Sequence, residues 1–164
     1  MTRTTTAPEA TITADEKLPI IRITRDFDAT PAKLMRAHLD PELFARWVGP
    51  DGMDTTVDVW DVRDGGSWRY VAARDGEEFG FRGCFHRIGE DTIVQTFTWE
   101  GMPEEVSLET LRFELLDDGR TRLHAQSLCD SFEDRDAWLR SGMEVGVNHG
   151  YAKLDGIVSD LAGA

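Results

Sequence analysis

A chain of 164 residues accommodates one ordinary domain and leaves no room for a second core. Its 31 acidic residues against 18 basic ones give a formal charge of -13, which disfavours phosphate backbones and anionic lipid and so argues against nucleic acid or a membrane surface as partner. Five Trp, eight Phe and two Tyr, each able to bury about 150 to 250 Å², require either a large aromatic core or an aromatic-lined pocket.

Residues 1–17 are rich in Thr, Ala and charge and have no apolar central stretch, so they are expected to be a disordered arm without a secretory signal, ahead of a single domain at 18–164. No run in the chain approaches the roughly eighteen apolar residues of a membrane span, and a cytoplasmic location is expected. From residue 19 the pattern orders itself. The β-branched, partly alternating stretch at 19–27 reads as a strand. Thr30-Pro31 then opens a short helix carrying Leu34, Met35, Ala37 and His38, and Asp40-Pro41 opens a second with Leu43, Phe44 and Trp47, ended by Gly49-Pro50.

Beyond Gly52 six strands are predicted, at 53–62, 67–73, 78–88, 92–100, 106–116 and 121–129, punctuated by Gly65-Gly66, Asp75-Gly76, Gly89-Glu90-Asp91 and Asp118-Gly119. Asp-Gly between alternating strands is a strong hairpin signal because both residues tolerate positive φ. Period two places Phe79, Phe81, Gly83 and Phe85 on one face and Arg82, Cys84 and His86 on the other. Ile93, Gln95, Phe97 and Trp99 align in the next strand, and Leu111, Phe113 and Leu115 oppose Arg112 and Glu114 in the one after. One face of an antiparallel meander is therefore apolar and aromatic, and it must be covered.

The cover is predicted to begin at Ser141, where Ser141 and Glu144 have capping-box spacing. Met143, Val147, Tyr151, Leu154, Val158 and Leu161 then recur at helical intervals on one stripe. Residues 134–140 could be helix or loop. The fold class is thus α+β: a curved antiparallel sheet of about seven strands, two short helices after the first strand, and a long C-terminal helix over an apolar cavity.

Few residues suggest chemistry. Cys84 and Cys129 have no zinc spacing, and His38, His86, His124 and His149 form no helical ligand pair, so neither metal nor cofactor is expected. No Gly-x-Ser-x-Gly elbow or Gly-x-Gly-x-x-Gly loop occurs, and no catalytic residue is assigned. Gly142, Gly146 and Gly150 each cost a helix interior roughly 1 kcal/mol against alanine, which points either to close packing or to space beside a ligand. Gln95, an amide on the aromatic face, needs a partner in the backbone, in Tyr70 or in a ligand.

The motifs Phe27-Asp28-Ala29-Thr30-Pro31, Asp40-Pro41-Glu42-Leu43, Arg46-Trp47 and Gly49-Pro50 resemble the opening of domains similar to the activator of the Hsp90 ATPase. Asp61-Val62-Arg63-Asp64-Gly65-Gly66-Ser67-Trp68, Phe81-Arg82-Gly83, Thr96-Phe97-Thr98-Trp99 and Gly142-Met143-Glu144 through Leu154-Asp155 resemble its later segments. Val48 and Tyr151 depart from that pattern, where a second aromatic and a tryptophan respectively are common. The resemblance implies a helix-grip fold of the START-related (SRPBCC) superfamily and no single reaction.

The reading adopted is a small hydrophobic or aromatic ligand held between sheet and terminal helix by Trp47, Trp68, Tyr70, Phe79, Phe81, Gln95, Phe97, Trp99, Phe113, Met143, Val147, His149 and Tyr151. The alternatives are a polyketide cyclase or aromatase drawing on His149 or Gln95, and a protein that contacts a chaperone. Chaperone stimulation is not expected of a chain that lacks the extra N-terminal domain of the eukaryotic co-chaperone. The exposed faces leave a homodimer open.

Overall fold

The computed structural model describes residues 8–162. Within them, β1 (Thr11–Ala14) pairs antiparallel with β2 (Ile20–Phe27), Thr11 opposite Thr24 and Ala14 opposite Ile21. The arm expected to be disordered through Lys17 therefore includes a strand; residues 1–7 of that arm lie outside the described residues. Distant partners hold it in place. Asn148 Oδ1 accepts from the Ala10 N–H at 2.8 Å, Arg25 donates to the Pro8 carbonyl at 3.1 Å, and Asp15 Oδ1 accepts from the backbone of Lys17 and Leu18 at the turn.

Two capped helices follow β2. Thr30 accepts from the Lys33 N–H to start α1 (Pro31–Leu39), and Asp40 accepts from Glu42 and Leu43 to start α2 (Pro41–Trp47), as Thr-Pro and Asp-Pro predict. The meander comprises β3 (Asp54–Trp60), β4 (Ser67–Arg74), β5 (Glu77–Ile88), β6 (Thr92–Trp99), β7 (Ser107–Leu115) and β8 (Thr121–Leu128). Asp75 and Gly76 both take positive φ, 55° and 81°, whereas at Asp118-Gly119 only the glycine does. The sheet order is β1-β2-β8-β7-β6-β5-β4-β3, so the N-terminal strands close against the last one. Register shifts at Val57/Val59 and Phe85/Arg87 add local bend and twist on the aromatic side of the sheet.

Residues 134–140, left open by the sequence, belong to α3 (Phe132–Arg140), with Ser131 Oγ accepting from the Asp134 N–H at 3.1 Å. Ser141 ends that helix instead of capping the next. Gly142 precedes α4 (Met143–Asp160) at φ 86°, and no side chain caps the new helix. A capping-box serine needs extended backbone, and the tight reversal between α3 and α4 uses a left-handed glycine instead.

The core lies between the sheet and the helices α1 and α4. Leu34, Leu123 and Leu154 are wholly buried, with Phe27 and Phe113 nearly so, while Leu115, at the very end of β7, is exposed. Arg25 of β2, itself buried, grips Asp155 of α4 through two hydrogen bonds of 2.6 and 2.7 Å. A bidentate guanidinium-carboxylate pair fixes angle as well as distance, and so pins α4 across the sheet.

Candidate functional site

A cavity of about 330 Å³ lies where the curved sheet, α2, α3 and the first turns of α4 fail to meet. Its walls are aromatic. Trp47 comes from α2, Trp60 from β3, Trp68 and Tyr70 from β4, Phe85 from β5, Phe97 from β6, Trp138 from α3 and Tyr151 from α4. Trp68 and Tyr70 stack at 5.7 Å, and Trp60 meets Phe85 edge-on at 5.8 Å. The indole N–H groups of Trp47 and Trp60 donate to the carbonyls of Ala37 and Leu39. That of Trp68 is buried and has no partner among the described residues. Gly83 seats this wall: a Cβ there would lie 2.0 Å from the Thr96 carbonyl oxygen and 2.7 Å from Cζ2 of Trp68, so β5 can carry no side chain at that point.

The glycines of the terminal helix have separate jobs. Gly142 supplies the left-handed turn, Gly146 lines the cavity and would place a Cβ in ordinary contact with Pro50, and Gly150 lets α4 approach the Trp47 carbonyl, where a Cβ would stand 3.0 Å away. Close packing and cavity space, posed as alternatives by the sequence, both apply.

The polar floor is built from β6, β7 and β8. Gln95 Nε2 donates to Glu109 Oε1 at 3.0 Å and Ser127 Oγ donates to Oε2 at 3.2 Å. All three residues line the cavity. The partner of Gln95 is thus neither backbone nor Tyr70 but a carboxylate. Part of Glu109 faces the cavity, yet it sits deep among protein atoms, and this burial raises its pKa against the lowering effect of its two hydrogen bonds. Burial also pushes up the phenols of Tyr70 and Tyr151, and at both of them the Glu109 charge adds to the shift. His38 lines the opposite side. Its Nδ1 lies 2.8 Å from the Leu34 carbonyl; because a carbonyl only accepts, Nδ1 carries the proton and Nε2 is a bare acceptor. Burial lowers its pKa to about 4, so it is neutral.

Of the residues read from sequence as ligand-binding, Trp47, Trp68, Tyr70, Gln95, Phe97, Met143, Val147 and Tyr151 line this cavity, and the others do not. Phe79 stands opposite Ala72 near the β4-β5 turn, away from the hollow. Phe81 forms a second row behind Tyr70 and Phe97, at 5.1 and 5.5 Å. Trp99 folds onto Gly101 and borders a smaller hollow of about 200 Å³ with Met102 and Trp138. Phe113 is solid core, edge-on to His38 at 5.0 Å. His149 points away, its Nδ1 accepting from the Asp51 N–H at 3.1 Å. An alternating strand identifies a face but not the distance from a hollow along it. Glu109 and His38 were missed. Period two run backwards from Phe113 and Leu111 places Glu109 on the inner face, and that signal was available.

A family model for Activator of Hsp90 ATPase homolog 1-like proteins matches residues 28–159. The chain belongs to this family. A search of curated proteins finds no match. Among solved structures, a Rhodobacter sphaeroides protein superposes with a TM-score of 0.84 at 24% identity, over 94% of this chain and all of its own. A Mycobacterium smegmatis protein gives 0.83 at 21% identity, over 95% and 100%. The AHSA1 protein of Silicibacter pomeroyi gives 0.69 at 20%, over 85% and 97%. These likenesses establish the fold and nothing finer. Among the described residues of this family member, no helix is long and apolar enough to cross a membrane.

Proposed function

We propose that this Hsp90 ATPase activator-like domain binds a small, largely apolar molecule in the cavity between the sheet and α4. The supporting observation is the cavity itself: its volume of about 330 Å³ falls within the roughly 300 to 1,000 Å³ of ligand sites, and apolar, ring-bearing walls around a few convergent polar groups are their usual composition. The resemblance to START-related folds agrees with it. Of the two sequence-based candidates of the cyclase alternative, His149 lies outside the cavity, and Gln95 borders it with Nε2 given to Glu109.

A ligand that binds only the folded state raises its melting temperature. Neutral ring compounds such as 2-methylnaphthalene should therefore raise Tm in the wild type. Val147→Phe, which extends a cavity-lining side chain into the hollow, should abolish the rise while leaving the unliganded Tm close to wild type. An equal response from both proteins, or none from the wild type to any neutral ring or chain compound, rejects the proposal.

A further inference from the structure

Two other partly covered carboxylates of this molecule are paired with guanidinium groups: Asp155 with Arg25, and Glu100 with Arg69 at 2.7 and 3.0 Å. Glu109 is treated differently. Both its oxygens take hydrogen bonds from neutral side chains, Gln95 and Ser127, and among the described residues no Lys or Arg side chain lines the cavity. A carboxylate held in an apolar space without a cation is costly, and the two donors orient it without offsetting its charge. The same space is bounded by the rings of Trp68, Tyr70 and Tyr151, whose faces are electronegative and attract cations. The chain's net charge of -13 favours approach of a cation over an anion.

We infer that the cavity selects an apolar molecule bearing a protonated amine, with the ammonium against Glu109 and the neighbouring rings, and discriminates against carboxylate amphiphiles such as fatty acids. This inference rests on the ligand-binding reading above and specifies its ligand class. An ammonium completes the unpaired carboxylate through a charge-assisted hydrogen bond and gains the ring faces as well. An alcohol gains the hydrogen bond alone. A carboxylate meets Glu109 as a like charge in surroundings that screen it poorly.

Four compounds on one skeleton test this by titration calorimetry at neutral pH: 2-naphthylmethylamine, 2-naphthalenemethanol, 2-naphthoic acid and 2-methylnaphthalene. The amine should bind at least about tenfold more tightly than the alcohol, the sum of a charged hydrogen bond and a cation-π contact, and naphthoate should bind most weakly. Glu109→Gln keeps the side-chain length and should erase the advantage of the amine while the alcohol keeps its affinity. The inference is overturned if the amine binds no more tightly than the alcohol in the wild type, a comparison that needs no variant. It is overturned equally if the advantage survives in a folded Glu109→Gln protein. Binding of the neutral compounds without preference for the amine removes this inference alone, whereas silence from all four removes the ligand-binding reading with it.

Discussion

The two ends of α4 present opposite kinds of surface. From Tyr151 to Val158 the helix is core: Leu154 is fully buried, Ile157 and Val158 nearly so, and Asp155 is held by the buried guanidinium of Arg25. From Met143 to Asn148 the same helix has no fully buried residue, begins at an uncapped left-handed glycine, and turns Met143 and Val147 to the cavity while Val145 is 54% exposed. Folding stability is concentrated where packing is complete, and capacity for a guest where it is not. One helix thus joins a fixed anchor to a loosely filled roof.

The comparison breaks most visibly at the anchor. Leu154→Ala should cost about 3 to 4 kcal/mol, as for a Leu truncated in a closed core, seen as a lower urea midpoint; a loss below about 1 kcal/mol would mean that this end is not core in the sense described. The cavity side contributes a pH dependence of comparable size. His38 is neutral in the fold down to about pH 4, against an ordinary value of 6.5. The unfolded chain therefore takes up the proton first, and stability present above pH 6.5 is lost as the pH falls toward 4, by on the order of 3 kcal/mol in full. Glu109, with its raised pKa, acts in the opposite direction, since the folded state holds its proton longer. Comparing wild type with His38→Phe across that range isolates the histidine, and parallel curves would refute the assignment.

Asp155→Ala should cost roughly 2 kcal/mol, below the 3 to 5 or so typical of a broken buried pair because the Asp155 side chain is 34% exposed; chemical denaturation checks this, and an unchanged midpoint would remove the anchor's electrostatic part. At the roof, Val147→Ala should change stability by less than about 1 kcal/mol, because that side chain already faces empty space. A loss matching that of Leu154→Ala would show the two ends of the helix to be alike after all.

Much of this architecture could be read residue by residue. Thr30-Pro31 and Asp40-Pro41 start helices where predicted, and β5 runs Glu77–Ile88 against an expectation of 78–88, because caps, proline and period two act within a few neighbours. β1 was not foreseen: four residues do not form a strand alone, and its supports, Arg25 and Asn148, are remote in the chain. Glu109 and His38 escaped notice for a related reason. Apolar residues advertise an interior position, whereas a polar residue such as Glu109 shows on the inner face only through the alternation of its apolar neighbours, and His38 lies on a helix, where period two says nothing.

By itself the sequence determined the number and kind of most elements, the inward faces of β5, β6 and β7 and the stripe by which α4 packs, all of which follow from short-range geometry and solvent exclusion. The tertiary structure alone decided that the interior is hollow, that Phe81, Trp99 and Phe113 stand apart from that hollow while Trp60 and His38 border it, and that Glu109 enters it without a cation. A cavity is a mismatch among surfaces contributed by many separate elements, and no local pattern encodes the distance between them.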